Sequence, residues 1–429
     1  MKQLQLLDFL KKATSPFHIV LEGSNFLKEH NFQELNMGDL WELKLGGRYY
    51  TTVYGTTLFA FTIGTDIDLT KEPSFHITAS HTDYPCLRVK PNPELIEKNY
   101  CKLNIEAYGG LIRNSWLDRP LSIAGKVTLK SKSIFNPETR FIDFERPVLT
   151  VPSLAIHMNR EVNKGTELNP QTHLLPLLAT MEETLNKENF FLEFLAKELS
   201  VTPSEILDFD LYIYNVETGC TIGMKEDFIS APRLDNITSC VACLNGIVNK
   251  TNETQINVIA LYDNEEIGSH TKQGADSMIT NILLEKIYAS FGKTSAQLYT
   301  AIMNSFMLSI DVAHAYHPNY TGKNDLTNIP LLNKGIILKL NSNQRYATDT
   351  EAIGAIQQLC NAYNIPYQKF VNRSDVVGGG TLGSLTSSWL PMKTVDLGVG
   401  LLSMHSAREL MGSKDQDSLN DLVKAFFQA

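Results

Sequence analysis

An apolar run, Ile256 to Leu261, ends in three acids within four residues: Asp263, Glu265 and Glu266. The run has the length and β-branched content of a strand buried on both faces. Gly268 and a polar turn follow it. Carboxylates packed at the end of a buried strand repel one another and lose hydration. Such an arrangement calls for a bound cation or a proton-transfer task. Adjacent glutamates can serve both: one carboxylate grips a metal while its neighbour moves protons on the water beside it. Taken alone, a Glu-Glu pair is more simply a solvated acidic turn. The choice between the two readings depends on whether the rest of the chain supplies matching ligands.

The pattern around that run sets the fold class. Two helices are expected at residues 3–13 and 19–30, then a hairpin from Tyr49–Tyr54 and Leu58–Ile63, then a strand at Phe75–Ser80. From Leu87 to Asp143 the chain turns to short strands with many turn residues and no long helical pattern. Leu174–Leu199 has helical apolar spacing, and Ser200–Leu207 carries a helix-start signal with an early Pro203. After Asp210 strands and helices alternate. Leu211–Val216, Ile256–Leu261, Phe306–Ile310 and Thr394–Leu397 read as strands; Ile237–Val248, Thr271–Glu285, Thr350–Asn361 and Asp417–Phe427 read as helices. Alternation of this kind predicts an α/β fold, a mixed, mostly parallel sheet flanked by helices. A β-rich domain at 89–218 is expected to interrupt a catalytic domain made of 1–88 and 219–429.

In open α/β sheets ligands bind beyond the carboxyl ends of the strands. After Phe75–Ser80 come His81 and, two residues on, Asp83. Asp235 stands at the start of the Ile237 helix. Glu265 and Glu266 follow Ile256–Leu261, Asp311 follows Phe306–Ile310, and His405 comes after Thr394–Leu397 and a glycine-rich loop. Asp83 aside, two histidines, two aspartates and a glutamate pair at one sheet edge are the inventory of a two-metal site. Imidazole with carboxylate suits Zn²⁺, and one carboxylate can bridge two ions. A lone His81 would more simply be a satisfied strand-end histidine. The His-x-Asp spacing adds weight, because a metal-bound imidazole wants a carboxylate on its other nitrogen.

Composition narrows the function. The 429 residues carry a formal net charge of -9, which disfavours a nucleic-acid partner. No window approaches the ~20 apolar residues of a membrane span, and the start reads as an amphipathic helix, not a signal peptide. The six cysteines are scattered; Cys240 and Cys243, on a helical pattern, read as packing residues, and the chain as cytoplasmic. Neither H-E-x-x-H nor G-x-S-x-G occurs.

Several stretches together resemble the aspartyl aminopeptidase and aminopeptidase I family of dodecameric zinc aminopeptidases. They are Ala79-Ser-His-Thr-Asp83, Tyr108-Gly-Gly110, Trp116-Leu-Asp-Arg119, Ala155-Ile-His157, Arg233-Leu-Asp-Asn236, Asp263-Asn-Glu-Glu-Ile-Gly-Ser269, Asp311-Val-Ala-His-Ala-Tyr-His-Pro-Asn-Tyr320, Gln344-Arg-Tyr-Ala-Thr348, Gly380-Thr-Leu-Gly383 and Met404-His-Ser-Ala-Arg-Glu409. They run through nearly the whole chain in family order. Two departures are Gly380-Thr381, where the family more often has Gly-Ser-Thr-Ile-Gly, and Pro120, where it more often has an acid or Asn. Asp118 and Arg119 are most simply an ion pair.

The resemblance implies two Zn²⁺ per subunit, with Mn²⁺ or Co²⁺ as substitutes. His81 and Asp311 would hold one ion, Glu266 and His405 the other, with Asp235 bridging. Glu265 would be the general base and Asp83 would orient His81. His157, Asp311, His314 and Lys339 would meet the peptide substrate, with Lys339 favouring N-terminal Asp or Glu. A strand-end lysine is otherwise a snorkelling surface residue. The resemblance further implies a homo-oligomer of twelve subunits paired through the inserted domain. A metallo-amidohydrolase on the same ligands and a non-catalytic oligomeric shell are the competing readings.

Overall fold

The computed structural model describes residues 3–181, 188–249 and 251–429. The chain divides into two compact units, Met1–Asp83 with Gly219–Met404 and Glu409–Ala429, and Tyr84–Thr218 with His405–Arg408.

The first unit is built on a nine-stranded mixed sheet. At its centre Ile256–Tyr262, Phe75–His81, Phe306–Ile310 and Lys393–Gly398 run parallel in that order. All seven residues of Ile256–Tyr262 are buried, as the unbroken apolar run requires of a strand covered on both faces. Arg48–Val53 and Thr57–Ile63 form the expected antiparallel hairpin beside it. Helices cover both faces. Leu6–Lys12, Pro16–Glu29, Leu234–Val248, Thr350–Ala362 and Asp415–Gln428 pack on one core, and Ile279–Ser290 and Ser295–Met303 on the other. The closing helix shows why it folds: Leu419, Leu422, Val423, Phe426 and Phe427 are buried at helical spacing. Ser15 and Pro16 start the second helix, and the Asp349 carboxylate accepts the Ala352 N–H at 2.8 Å to start Thr350–Ala362. A smaller five-stranded sheet holds Cys220–Ile222, Phe228–Ala231, Glu409–Gly412, Gly400–Leu402 and Ala313–His314.

The second unit carries a six-stranded antiparallel sheet, ordered Glu138–Asp143, Leu121–Leu129, Ile206–Asn215, Cys86–Glu97, Tyr100–Tyr108, Leu177–Thr180. Its longest strands have 12, 10, 9 and 9 residues, so the short strands expected for this region are corrected to long ones. Ile206–Asn215 also corrects the reading of Leu211–Val216 as the first strand of the α/β alternation. It pairs antiparallel with Leu121–Leu129. A buried apolar run looks the same in either kind of sheet. The helix start at Ser200–Leu207 is one turn, Pro203–Glu205, capped by Thr202, before that strand begins. The expected helix Leu174–Leu199 divides into strand Leu177–Thr180 and helix Phe190–Leu199, with 182–187 outside the described residues. The helix read at Thr271–Glu285 is Ile279–Ser290, because hydrogen-bonded turns occupy the preceding residues. Asp118 and Arg119 do not pair: Asp118 accepts the N–H and hydroxyl of Ser153, and Arg119 bonds Glu217 at 2.7 Å.

No helix among the described residues is long and apolar enough to cross a membrane. No disulfide joins the cysteines among the described residues, and Cys240 and Cys243 pack inside helix Leu234–Val248.

Candidate metal centre

The register of the central strands fixes where the chemistry collects. Tyr262 pairs with His81 across parallel strands, so Asp263 and the two glutamates leave the sheet beside the imidazole. Ile310 pairs with Leu397 one strand further on, and Asp311 follows it. Asp235 comes from the start of Leu234–Val248, where the backbone is not yet helical and the Asp235–Asn236 peptide is cis. Asn236 anchors that segment by donating to the Ser80 hydroxyl at 3.1 Å and the Ile310 carbonyl at 3.0 Å.

His81, Asp235 and Glu266 each present one ligand atom, and the three atoms lie within 4.8 Å of one another. His81 Nε2 is 3.5 Å from Asp235 Oδ1 and 3.5 Å from Asp311 Oδ1. His81 Nδ1 faces Asp83, 3.1 Å from its carbonyl and 3.4 Å from its carboxylate. The same carboxylate accepts the backbone N–H groups of Glu265 and Glu266 at 3.1 and 3.0 Å. Asp83 is fully buried. It therefore binds the imidazole's rear nitrogen and the root of both glutamates at once. Asn264 at φ 66° and Gly268 at φ 101° bracket this turn; the glycine takes the left-handed backbone without a Cβ penalty.

The electrostatics are those of too many acids in too little water. Burial lifts the Glu265 carboxyl to about 8, with Asp311, Asp83 and Asp235 adding to it and His81 opposing. Burial pushes Glu266 well above its ordinary value, with Asp235 and Glu265 adding to that. Burial lifts Asp263 to about 7, helped by Asp83. For His81 burial opposes the charged form, but Asp235, Asp311, Asp83 and Glu265 overrule it and raise its pKa well above normal. The carboxyl shifts come first from burial and then from neighbouring acids, and a cation would offset that crowded negative charge. The donor set, one imidazole among buried carboxylates, fits zinc.

Lys339 lies differently from the exposed strand end its position suggested. It is 2% exposed. Its Nζ is 3.4 Å from Asp311 Oδ2 and 3.0 Å from the Val312 carbonyl, with the Tyr346 ring 5.3 Å away. Burial works against an ionised Asp311, yet the Lys339 ammonium lowers its pKa below the usual carboxylate range. His314 is exposed and edge-on to Phe370, on the wall of a cleft of about 380 Å³ that also meets Lys323, Arg373 and Met404.

His405 belongs to the second unit, in His405–Arg408. Its backbone is left-handed at φ 65°, its Nδ1 is 3.1 Å from the Gly110 carbonyl, and its own carbonyl accepts the Ile112 N–H. His157 is exposed in a turn of the same unit. Two buried acids escaped the sequence reading. Glu409 accepts the Asp235 N–H at 3.0 Å, and Asp396 lies in the strand beside Asp311. The visible signal for Asp396 was an acid inside the apolar run Val395-Asp-Leu397.

Residues 9–427 match the family described as aminopeptidase I zinc metalloprotease (M18). A probable M18 family aminopeptidase 2 of Clostridium acetobutylicum is 43% identical over 424 residues, covering 99% of this chain and 98% of that protein. A protein of the same description from Pseudomonas syringae is 38% identical, covering 98% and 97%. A solved structure described as the Ape4 and Nbr1 complex superposes with a TM-score of 0.94 at 34% identity, covering 99% of this chain and 84% of that one. The S. cerevesiae mApe1 dodecamer superposes at 0.84 and 28%, covering 98% and 95%. Matched over nearly its whole length, the chain belongs to the M18 family of zinc metalloproteases and is an aminopeptidase, a hydrolase of peptide bonds.

Proposed function

We propose that the chain is a two-zinc aminopeptidase with Glu265 as its general base. The observation that carries this is the triple role of Asp83, which ties His81, Glu265 and Glu266 into one buried cluster with Asp235. His81 and Asp311 would hold one zinc, Glu266 the other, with Asp235 shared. His405 is assigned to the second ion from the Met404–Glu409 sequence alone. The zinc pair supplies Lewis acidity to the scissile carbonyl and to the attacking water.

The chain's own groups do the rest. Glu265, its backbone pinned by Asp83, takes the water's proton and returns it to the leaving amine. Asp83 holds the imidazole so that Nε2 faces the cluster. Asp311 offers a carboxylate to the free α-amine, which restricts cleavage to the first residue. His314, on the cleft wall, meets the peptide; His157 is assigned to substrate from its motif alone. A preference for N-terminal Asp or Glu rests on Lys339. Its ammonium is already bonded to Asp311 and Val312, so it acts through its field and not as an open donor.

Assembly as a dodecamer paired through the second unit belongs to the same reading, supported by the dodecameric description of the mApe1 relative. So does a reducing, cytoplasmic setting, in keeping with cysteines that form no disulfide among the described residues. Glu265→Gln tests the core of the proposal. It should retain two zinc equivalents per chain by elemental analysis and lose ~10³-fold or more in kcat. A near-normal rate removes Glu265 from the role, and one zinc equivalent in the parent removes the second ion.

A further inference from the structure

Among the buried carboxylates to which the mechanism gives no task, Asp396 stands out. Asp396 is 0% exposed, in the middle of strand Lys393–Gly398. Its Oδ1 accepts the Thr381 hydroxyl at 2.6 Å and its Oδ2 the Ala347 N–H at 2.6 Å. Its own N–H donates to the Thr348 hydroxyl at 2.9 Å. One residue thus ties two loops to the sheet: the Gln344–Thr348 stretch, and the glycine-rich stretch ending at Thr381. Its space is reserved. A Cβ on Gly383 would stand 2.6 and 2.7 Å from the two carboxylate oxygens.

Lys339 is its neighbour across the sheet. Strand Ile336–Lys339 pairs antiparallel with Lys393–Gly398, Ile337 opposite Gly398 and Leu338 opposite Leu397. Continuing that register sets Lys339 opposite Asp396, with both side chains on one face. Lys339 is therefore within bonding distance of Asp311 and, across the strand pair, close enough for the Asp396 carboxylate to act on its charge. A buried ammonium facing Asp311 alone would compete with a metal for that carboxylate. A second anion divides its attraction.

We propose that Asp396 is a positioning residue for the peptidase: it shares Lys339 with Asp311 and thereby leaves Asp311 free to bind a metal. The proposal rests on the reading of Asp311 as a ligand. Asp396→Asn tests it. An amide of the same size accepts from Ala347 and donates to Thr381, so the loops stay tied and only the charge is lost. The zinc dissociation constant of the full-length protein, measured by chelator competition, should rise about tenfold or more. Tm should stay near the parent value, and kcat should fall with KM little changed. In a Lys339→Met background the same substitution should not weaken zinc further, because no cation remains to be shared. Unchanged zinc affinity, or an equal loss in both backgrounds, overturns the proposal. Gly383→Ala, which crowds the carboxylate without altering its charge, must also weaken zinc; if Asp396→Asn fails to fold, parent-like affinity in this variant overturns the proposal instead. Asp311→Ala serves as the control: parent-like zinc affinity there shows that the ligand reading has failed, and not the sharing of Lys339.

Discussion

The backbone N–H of Glu266 lies 3.0 Å from Asp83 Oδ2, and that bond joins the proposed ligands of two strands. Asp83 follows one strand and Glu266 the next, so the carboxylate sets the spacing between His81 and the glutamate pair. Removing its charge should loosen both. Asp83→Asn is expected to weaken zinc and lower kcat by about 10–100-fold each. Zinc affinity within twofold of the parent would mean that the two strands hold their ligands unaided.

Without a cation the cluster holds protons. Glu265 is lifted to about 8, and His81 and Glu266 lie well above their ordinary values. At pH 7 groups with a pKa above 7 are protonated, and an arriving cation favours their deprotonated forms. Adding zinc to the metal-free protein at pH 7 should therefore release about one proton or more per chain. Calorimetry in buffers of different ionisation enthalpy reads this directly. A heat independent of buffer would show that the acids are already ionised.

Lys339 gives a prediction about substrate. The parent enzyme should release N-terminal Asp or Glu faster than Leu and refuse an acetylated N-terminus. In Lys339→Met the ratio of kcat/KM for Asp over Leu should fall about tenfold, ~1.4 kcal/mol of transition-state preference. If the parent prefers Leu, Lys339 serves Asp311 alone.

Asp415, outside the proposed ligand set, links pH to stability. It is buried and accepts the N–H groups of Asn333 and Gly335 at 2.7 and 3.0 Å, yet burial raises its carboxyl to about 6. A carboxyl raised on folding prefers its neutral form in the native state. Its favourable contribution is full below the unfolded value and is lost as pH rises through 6. The change amounts to about 3 kcal/mol at most. Denaturant titrations of the parent and Asp415→Asn between pH 4 and 7 should differ in slope against pH, the variant being flatter. Parallel slopes would remove Asp415 as the cause.

The strands that lead into the acidic cluster were legible because each is a short, strand-length stretch carrying apolar residues and followed by an acid: Phe75–His81 before Asp83, Ile256–Tyr262 before Asp263, Phe306–Ile310 before Asp311. The partner of each strand was not legible. Ile206–Asn215 has the same buried run as the parallel strands, and only its pairing with Leu121–Leu129 places it in the other unit. Leu177–Thr180 was masked by leucines at spacing that also suits a helix. The burial of Lys339 was not legible for a related reason. A lysine closing a short strand normally reaches water, but here Asp311 and Asp396 flank it, and counter-charges across a sheet leave no local trace.

The proposed metal ligands are scattered along the chain: His81, Asp235, Glu266, Asp311 and His405 are synthesised in that order. A growing chain that has not yet passed His405 would lack part of that centre, however well its earlier strands have formed. Products of translation truncated before it should be inert as peptidases. A hydrolase that could attack neighbouring nascent chains would thus acquire its full chemistry only after the strands that build its sheet have been made.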